Sequence, residues 1–152
     1  MKISDAGLAM IKGFEGFRAH AYQDIVGVWT IGYGETIMPD GRPVRAGDVL
    51  PEHVALERLR ARCDEHFGLP VRAAGRGVLS QHQYDACVSL AYNIGTAGFA
   101  TSTVAKRLRT GDTLGAGAAF LLWNKAGGRV VQVLVRRRAA ERRCFDTGVY
   151  PA

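Results

Sequence analysis

No apolar run in this chain approaches the ~18 residues that a membrane-spanning helix needs. The longest near-apolar stretch, residues 114–123, is short and rich in glycine and alanine, so no stable membrane anchor is expected. The start, Met1-Lys2-Ile3-Ser4-Asp5, lacks the apolar core of a signal peptide and leads straight into a helical pattern. Cysteine is scarce: Cys63, Cys87 and Cys144 are widely spaced and odd in number, with no Cys-x-x-Cys. That excludes a disulfide framework and predicts free thiols in a reducing compartment. Cys87, between Ala86 and Val88 on a helix, reads as a small buried hydrophobe. Histidine is scarce too. Cys63 and His66 are spaced i, i+3, but no second close pair completes a zinc site, so no metal or other cofactor is expected. A Cys-His peptidase is unsupported for a related reason: no cysteine lies in a reactive Gly-rich context. Internal repeats and low-complexity linkers are absent.

What is present is a chain of 152 residues, 47% hydrophobic and 22% charged, as expected of a globular protein. That length fits one cooperative domain, or two small lobes sharing a helix. Basic residues outnumber acidic ones, 20 to 14, giving a formal charge of +6. Arg129, Arg136, Arg137, Arg138, Arg142 and Arg143 concentrate that charge near the C-terminus. No aromatic-plus-basic stripe accompanies them, so nucleic acid is not an expected partner and an anionic polymer is. Arg137 and Glu141, spaced i, i+4, can pair on a helix. A basic helix can also lie in a membrane interface, which makes outer-membrane disruption a secondary reading.

Local patterns divide the chain into a small sheet and a larger helical part. Residues 4–14 read as a helix, with Ser4 as N-cap and Ile3 and Leu8 as a hydrophobic staple. Residues 17–50 are rich in glycine and strand formers and predict an antiparallel sheet of two or three strands. Pro51 opens a helix over 52–66 that joins the two parts, and 68–77, carrying Pro70, reads as a connection. Ser80 and Gln83 form a capping box, with Leu79 and Tyr84 as staple, ahead of a mostly apolar helix running to Tyr92. Further helices are expected over 102–109, 113–123 and 134–145. The fold class is therefore α+β.

The chemistry-bearing residues lie early in the chain. Leu8, Ile11 and Glu15 share one helix face, so Glu15 projects from an apolar face at the helix's negative end, before Gly16. Both effects favour the neutral acid, as a general acid requires. The competing reading is a helix-end carboxylate paired with an arginine. Asp24 sits in the turn Gln23-Asp24-Ile25-Val26-Gly27, a solvated setting suited to an ionised carboxylate that orients water. Alternation through 28–33 points Thr30 away from Trp29, where its hydroxyl can assist. An Asx-turn residue and an ordinary strand threonine are the structural alternatives.

The spacing Glu-x8-Asp-x5-Thr, inside Thr30-Ile31-Gly32-Tyr33-Gly34, resembles the phage-type lysozymes, the endolysins of glycoside hydrolase family 24. The segments 85–95, 102–112 and 123–142 resemble, in order, the family's central helix, the helix after it and its C-terminal region. The resemblance implies a lysozyme-like fold: one catalytic domain over 1–152, with a sheet lobe at about 17–50 and a helical lobe at about 67–152 plus the N-terminal helix, joined by a long helix. It implies a muramidase acting on bacterial peptidoglycan for phage-induced lysis, with Glu15 as general acid, Asp24 positioning water and Thr30 helping to hold it. It further implies inversion at the anomeric carbon, a monomer, and accumulation in the host cytoplasm before release through a holin. The basic charge then suits anionic cell-surface polymers. Tyr33, Asn124 and Gly127 are candidate substrate contacts, and Tyr22, Trp29, Trp123 and Asn93 are further residues suited to sugar. A lytic transglycosylase and a wall-binding module without turnover are the alternatives. Two departures stand out: Glu35 replaces a histidine common in relatives, and Gln132-Val133 replaces Pro-Gly.

Overall fold

The computed structural model describes residues 1–152. Helix α1 (Asp5–Glu15) begins as expected: the Ser4 hydroxyl accepts from the Gly7 N–H at 3.0 Å, and Ile3 and Leu8 are buried beside it. It ends at Gly16, whose N–H donates to the Lys12 carbonyl at a φ of +70° and ψ of 152°. That backbone region is open essentially to glycine alone, so the chain can leave the helix immediately after Glu15. Only Gly16 and Phe17 separate α1 from strand β1 (Arg18–Gln23).

Strand β1 pairs antiparallel with β2 (Trp29–Gly32), placing Tyr22 opposite Thr30 and Gln23 opposite Trp29. The rest of the sheet lobe is held by single bridges, His20 to Val49, Ile31 to Glu35 and Ile37 to Pro43. The lobe is thus a two-stranded ribbon with bridged loops.

The joining helix is longer than the pattern predicts. α2 (Glu52–Arg62) runs through a π-helical turn, Cys63–Phe67, directly into α3 (Gly68–Gly75), so 68–75 is helix rather than connection. Pro70 lacks an N–H to donate back along the helix, and the wider turn just before it changes the hydrogen-bond register. Arg76 ends the run in the left-handed region at a φ of +48°.

Helix α4 (Gln81–Ile94) opens with the expected capping box between Ser80 and Gln83. It is buried from Tyr84 to Ala91 and packs against α1, α3 and the last helix. Around it stand α5 (Thr96–Thr101), which no sequence signal marked, α6 (Thr103–Arg109) capped by Ser102, and α7 (Thr113–Ala119) capped by Asp112. α7 gives way to a 3-10 turn, Phe120–Leu122, before the expected end. A small hairpin follows, β3 (Lys125–Ala126) and β4 (Arg129–Val130), turned by Gly127 and Gly128 at φ +57° and +76°. Positive φ at both positions suits a two-residue hairpin, and glycine meets it without strain. The last helix is α8 (Gln132–Thr147).

One cluster of 30 buried hydrophobic residues runs through both lobes. It includes Ile31, Val44 and Leu50 from the sheet side and Val88, Leu90, Phe120 and Phe145 from the helical side. Among the buried polar groups, Asp85 on α4 accepts from the Ser4 N–H and hydroxyl, Gln81 Nε2 and the Tyr150 hydroxyl. It ties the start of α1 and the C-terminal tail to the central helix. No helix is long and apolar enough to cross a membrane.

Candidate active site

Glu15 is the last residue of α1, half-buried, with 21% of its side chain exposed. Arg137 Nη1 on α8 donates to its Oε1 at 2.7 Å, while Oε2 makes no hydrogen bond within the protein. The arginine partner that the sequence offered as the structural alternative is therefore real. It also orients the carboxyl, leaving one oxygen free. Arg137 is itself fixed: its guanidinium lies 4.7 Å from the Phe14 ring centroid, Nε donates to Glu141 Oε1 at 3.1 Å and Nη2 to the Ser89 carbonyl at 3.3 Å.

Asp24 forms the Asx turn expected of its position. Oδ1 accepts from the Val26 and Val28 N–H groups at 3.0 and 2.8 Å, and the Asp24 N–H donates to the Val28 carbonyl. Oδ2 has no protein partner, so the same turn that gives Asp24 a structural role aims its second oxygen outward. Thr30 is 5% exposed and its hydroxyl donates to the Val28 carbonyl at 3.0 Å. Its oxygen keeps lone pairs to accept from water. Asp24 and Thr30 thus share the backbone of Val28, which locks their relative positions.

Tyr33 requires correction as a sugar platform. It is 1% exposed; its ring packs on Phe17 at a centroid distance of 5.5 Å and its hydroxyl donates to Glu52 Oε1 at 2.8 Å. Burial and that hydrogen bond push its phenol up to about 12. With no ring face free, it braces β2 against α2. Asn124 and Gly127 lie in the β3–β4 hairpin: the Asn124 carbonyl accepts from the Val131 N–H, closing the loop, and Gly127 is exposed. Tyr22, Trp29 and Trp123 keep partial exposure, and the Arg18 guanidinium lies 4.2 Å from the Tyr22 ring centroid. Asn93 is committed to Arg138, whose Nη1 donates to its Oδ1 at 3.0 Å.

Glu35 does not reach out to solvent. It is 3% exposed, and Arg58 Nε on α2 donates to its Oε2 at 2.5 Å. Its contacts give it a part in the local fold: it clips the segment that follows β2 to α2. The C-terminal basic block also divides. Arg137 and Arg138 are buried at 6% and 0% exposure, and Arg142 pairs with Asp146. Arg136 and Arg143 face solvent. The expected Arg137–Glu141 pair is present, but no sequence signal marks Arg137 as also reaching Glu15, 122 residues away. The largest cavity, about 670 Å³, lies elsewhere, between the N-terminus and α2–α3, lined by Lys2, Glu57, Arg60, Asp64 and Arg72.

The phage lysozyme family model matches residues 12–141. The endolysin of Acyrthosiphon pisum secondary endosymbiont phage 1 is 40% identical, over 97% of this chain and 99% of that protein. Among solved structures, the endolysin from Escherichia coli O157:H7 phage FAHEc1 superposes with a TM-score of 0.90 at 35% identity, over 100% of this chain and 98% of that one. The muramidase domain of SpmX from Asticaccaulis excentricus gives 0.83 at 35% identity, over 96% and 98%. The matched region contains Glu15, Asp24, Thr30 and Arg137, and this chain belongs to the phage lysozyme family.

Proposed function

We propose that this chain is an N-acetylmuramidase that hydrolyses the β-1,4 bond between N-acetylmuramic acid and N-acetylglucosamine in peptidoglycan, in phage-induced lysis. The observation that carries this reading is the contrast between two carboxyl groups. One is half-buried at a helix end with a single free oxygen. The other is held by backbone N–H groups in an exposed turn with its second oxygen free. Hydrolysis of a glycosidic bond needs such a pair.

The steps follow from those oxygens. Protonated Glu15 gives its proton from Oε2 to the leaving glycosidic oxygen as the C–O bond breaks. Asp24 Oδ2 takes a proton from a water molecule as that water attacks the anomeric carbon, and Thr30 accepts a hydrogen bond from the same water. Attack from the face opposite the leaving group inverts the anomeric centre, which the direct use of water by Asp24 supports. The residues need no cofactor for this. A net charge of +6 draws the protein to an anionic wall polymer. The protein acts as a monomer and, in this reading, reaches the wall after release from the host cytoplasm through a holin.

Digestion of Gram-negative peptidoglycan by the protein and by Glu15→Gln, with product masses recorded, tests the reading. Reducing-end muropeptides that the variant fails to release are expected. Anhydro products would indicate a transglycosylase, and the absence of any product would leave only a binding role.

A further inference from the structure

Behind the carboxyl of Glu15 lies a closed set of charges that the proposed reaction does not use. Glu141 on α8 is 0% exposed and receives the Ser89 hydroxyl at 2.6 Å, Arg137 Nε at 3.1 Å and Arg138 Nη2 at 3.1 Å. Arg138 is also 0% exposed, its Nε 2.7 Å from Glu141 Oε2 and its Nη1 on Asn93. We infer that Glu141 and Arg138 are positioning residues that set how readily Glu15 holds its proton, acting through the shared guanidinium of Arg137.

A buried arginine favours the anionic form of a neighbouring carboxyl, and a buried carboxylate opposes it. Arg137 and Arg138 bring two positive charges toward Glu15 and Glu141 removes one, leaving +1. Without Glu141 the same groups would present +2, and without Arg138 they would present 0. Glu141 also divides Arg137 between two carboxylates, so Glu15 does not hold the guanidinium alone. Burial disfavours the charged form of Arg138, and Glu141 opposes that. The other charged or titratable groups around Glu15 have partners of their own. Lys12 on α1 pairs with Glu52 at 3.5 Å, and the Tyr92 hydroxyl on α4 donates to the Tyr33 carbonyl. Arg62 donates to Tyr92, and Glu35 pairs with Arg58. None of them bridges to Glu15, so the α8 set is the charge cluster in direct contact with it.

This inference rests on Glu15 being the general acid. A general acid works while protonated, so activity falls as pH rises through its titration. The test is the pH dependence of kcat/KM on soluble peptidoglycan fragments for the unmodified protein, Glu141→Gln, Arg138→Met and the double variant, with thermal melting of each. Glu141→Gln moves the alkaline limb to lower pH, and Arg138→Met moves it to higher pH, each by about one unit, the low end of what a charge at ~4–6 Å produces. The double variant restores +1 and returns the limb toward its starting position. If Glu141→Gln does not fold, Arg138→Met and the double variant still give the sign. Limbs that stay in place while melting temperatures fall would reduce the cluster to a structural clamp and overturn the inference. Full activity of Glu15→Gln would instead reject the acid itself.

Discussion

Glu15 and Asp24 carry the same functional group, and the atoms around each oxygen place them in different settings. At Glu15 an arginine takes one oxygen; at Asp24 two backbone N–H groups take one. Asp24→Asn keeps an oxygen for those N–H groups but cannot accept water's proton, so kcat/KM should fall by about 10²–10⁴-fold with the melting temperature nearly unchanged. Thr30→Val should cost less activity, since it removes a support of the water rather than the base. Rates and melting curves of the two variants check both points. The cysteines give a second test. Cys63 and Cys144 are buried, and burial pushes each thiol up to about 12. Cys87, fully buried, is also raised well above the ordinary thiol value by burial. Thiol reagents at pH 8 should label none of them in the folded protein and all three after denaturation. At this scale the sequence showed the triad spacing and the buried Cys87. It did not show that Tyr33 is enclosed, because strand alternation assigns a face without saying which face is covered. Nor did it show that Arg137 meets Glu15, a contact that only packing creates.

Helix starts were the most legible elements. Ser4 and Ser80 each cap a helix where their residue type and following pattern indicate, and Ser102, expected as the first residue of its helix, is its N-cap. The run from α2 into α3 was not legible: proline and glycine near 68–70 read locally as a break, while a π turn carries the helix through. The loops of the sheet lobe depend on side chains more than on strands. Asp48 takes both Arg42 Nη atoms at 2.8 Å and the Arg45 N–H at 2.7 Å. The Arg42 guanidinium, followed by the Arg45 N–H, holds its carboxyl down at about 2, below the ordinary 3.8. A lowered value in the folded state means that the stabilisation is complete above the unfolded value and lost as pH falls through about 2. Asp48→Asn should therefore melt below the unmodified protein at neutral pH, with the difference closing as pH drops from about 4 toward 2. Melting curves across that range check it.

At the scale of the whole molecule, the α+β architecture with a small sheet lobe and a larger helical body was legible from composition and turn signals. The sharing of one core was not, since it depends on which faces meet. Because the cluster of 30 residues includes side chains from both lobes, we propose that the chain unfolds as one unit. Far-ultraviolet circular dichroism and tryptophan fluorescence should give coincident denaturation curves; two separated transitions would mean that the lobes fold apart. The basic charge also reads differently once folded. Two arginines of the C-terminal block serve the interior, while Arg129, Arg136 and Arg143 face solvent.

Whether Glu15 supplies the proton is decided by the product spectrum of a peptidoglycan digest by the unmodified protein beside Glu15→Gln. Muropeptides with reducing N-acetylmuramic acid ends are expected from the first and none from the second, with equal melting temperatures. The same products at the same rate from Glu15→Gln would contradict it, because the proton would then come from another group.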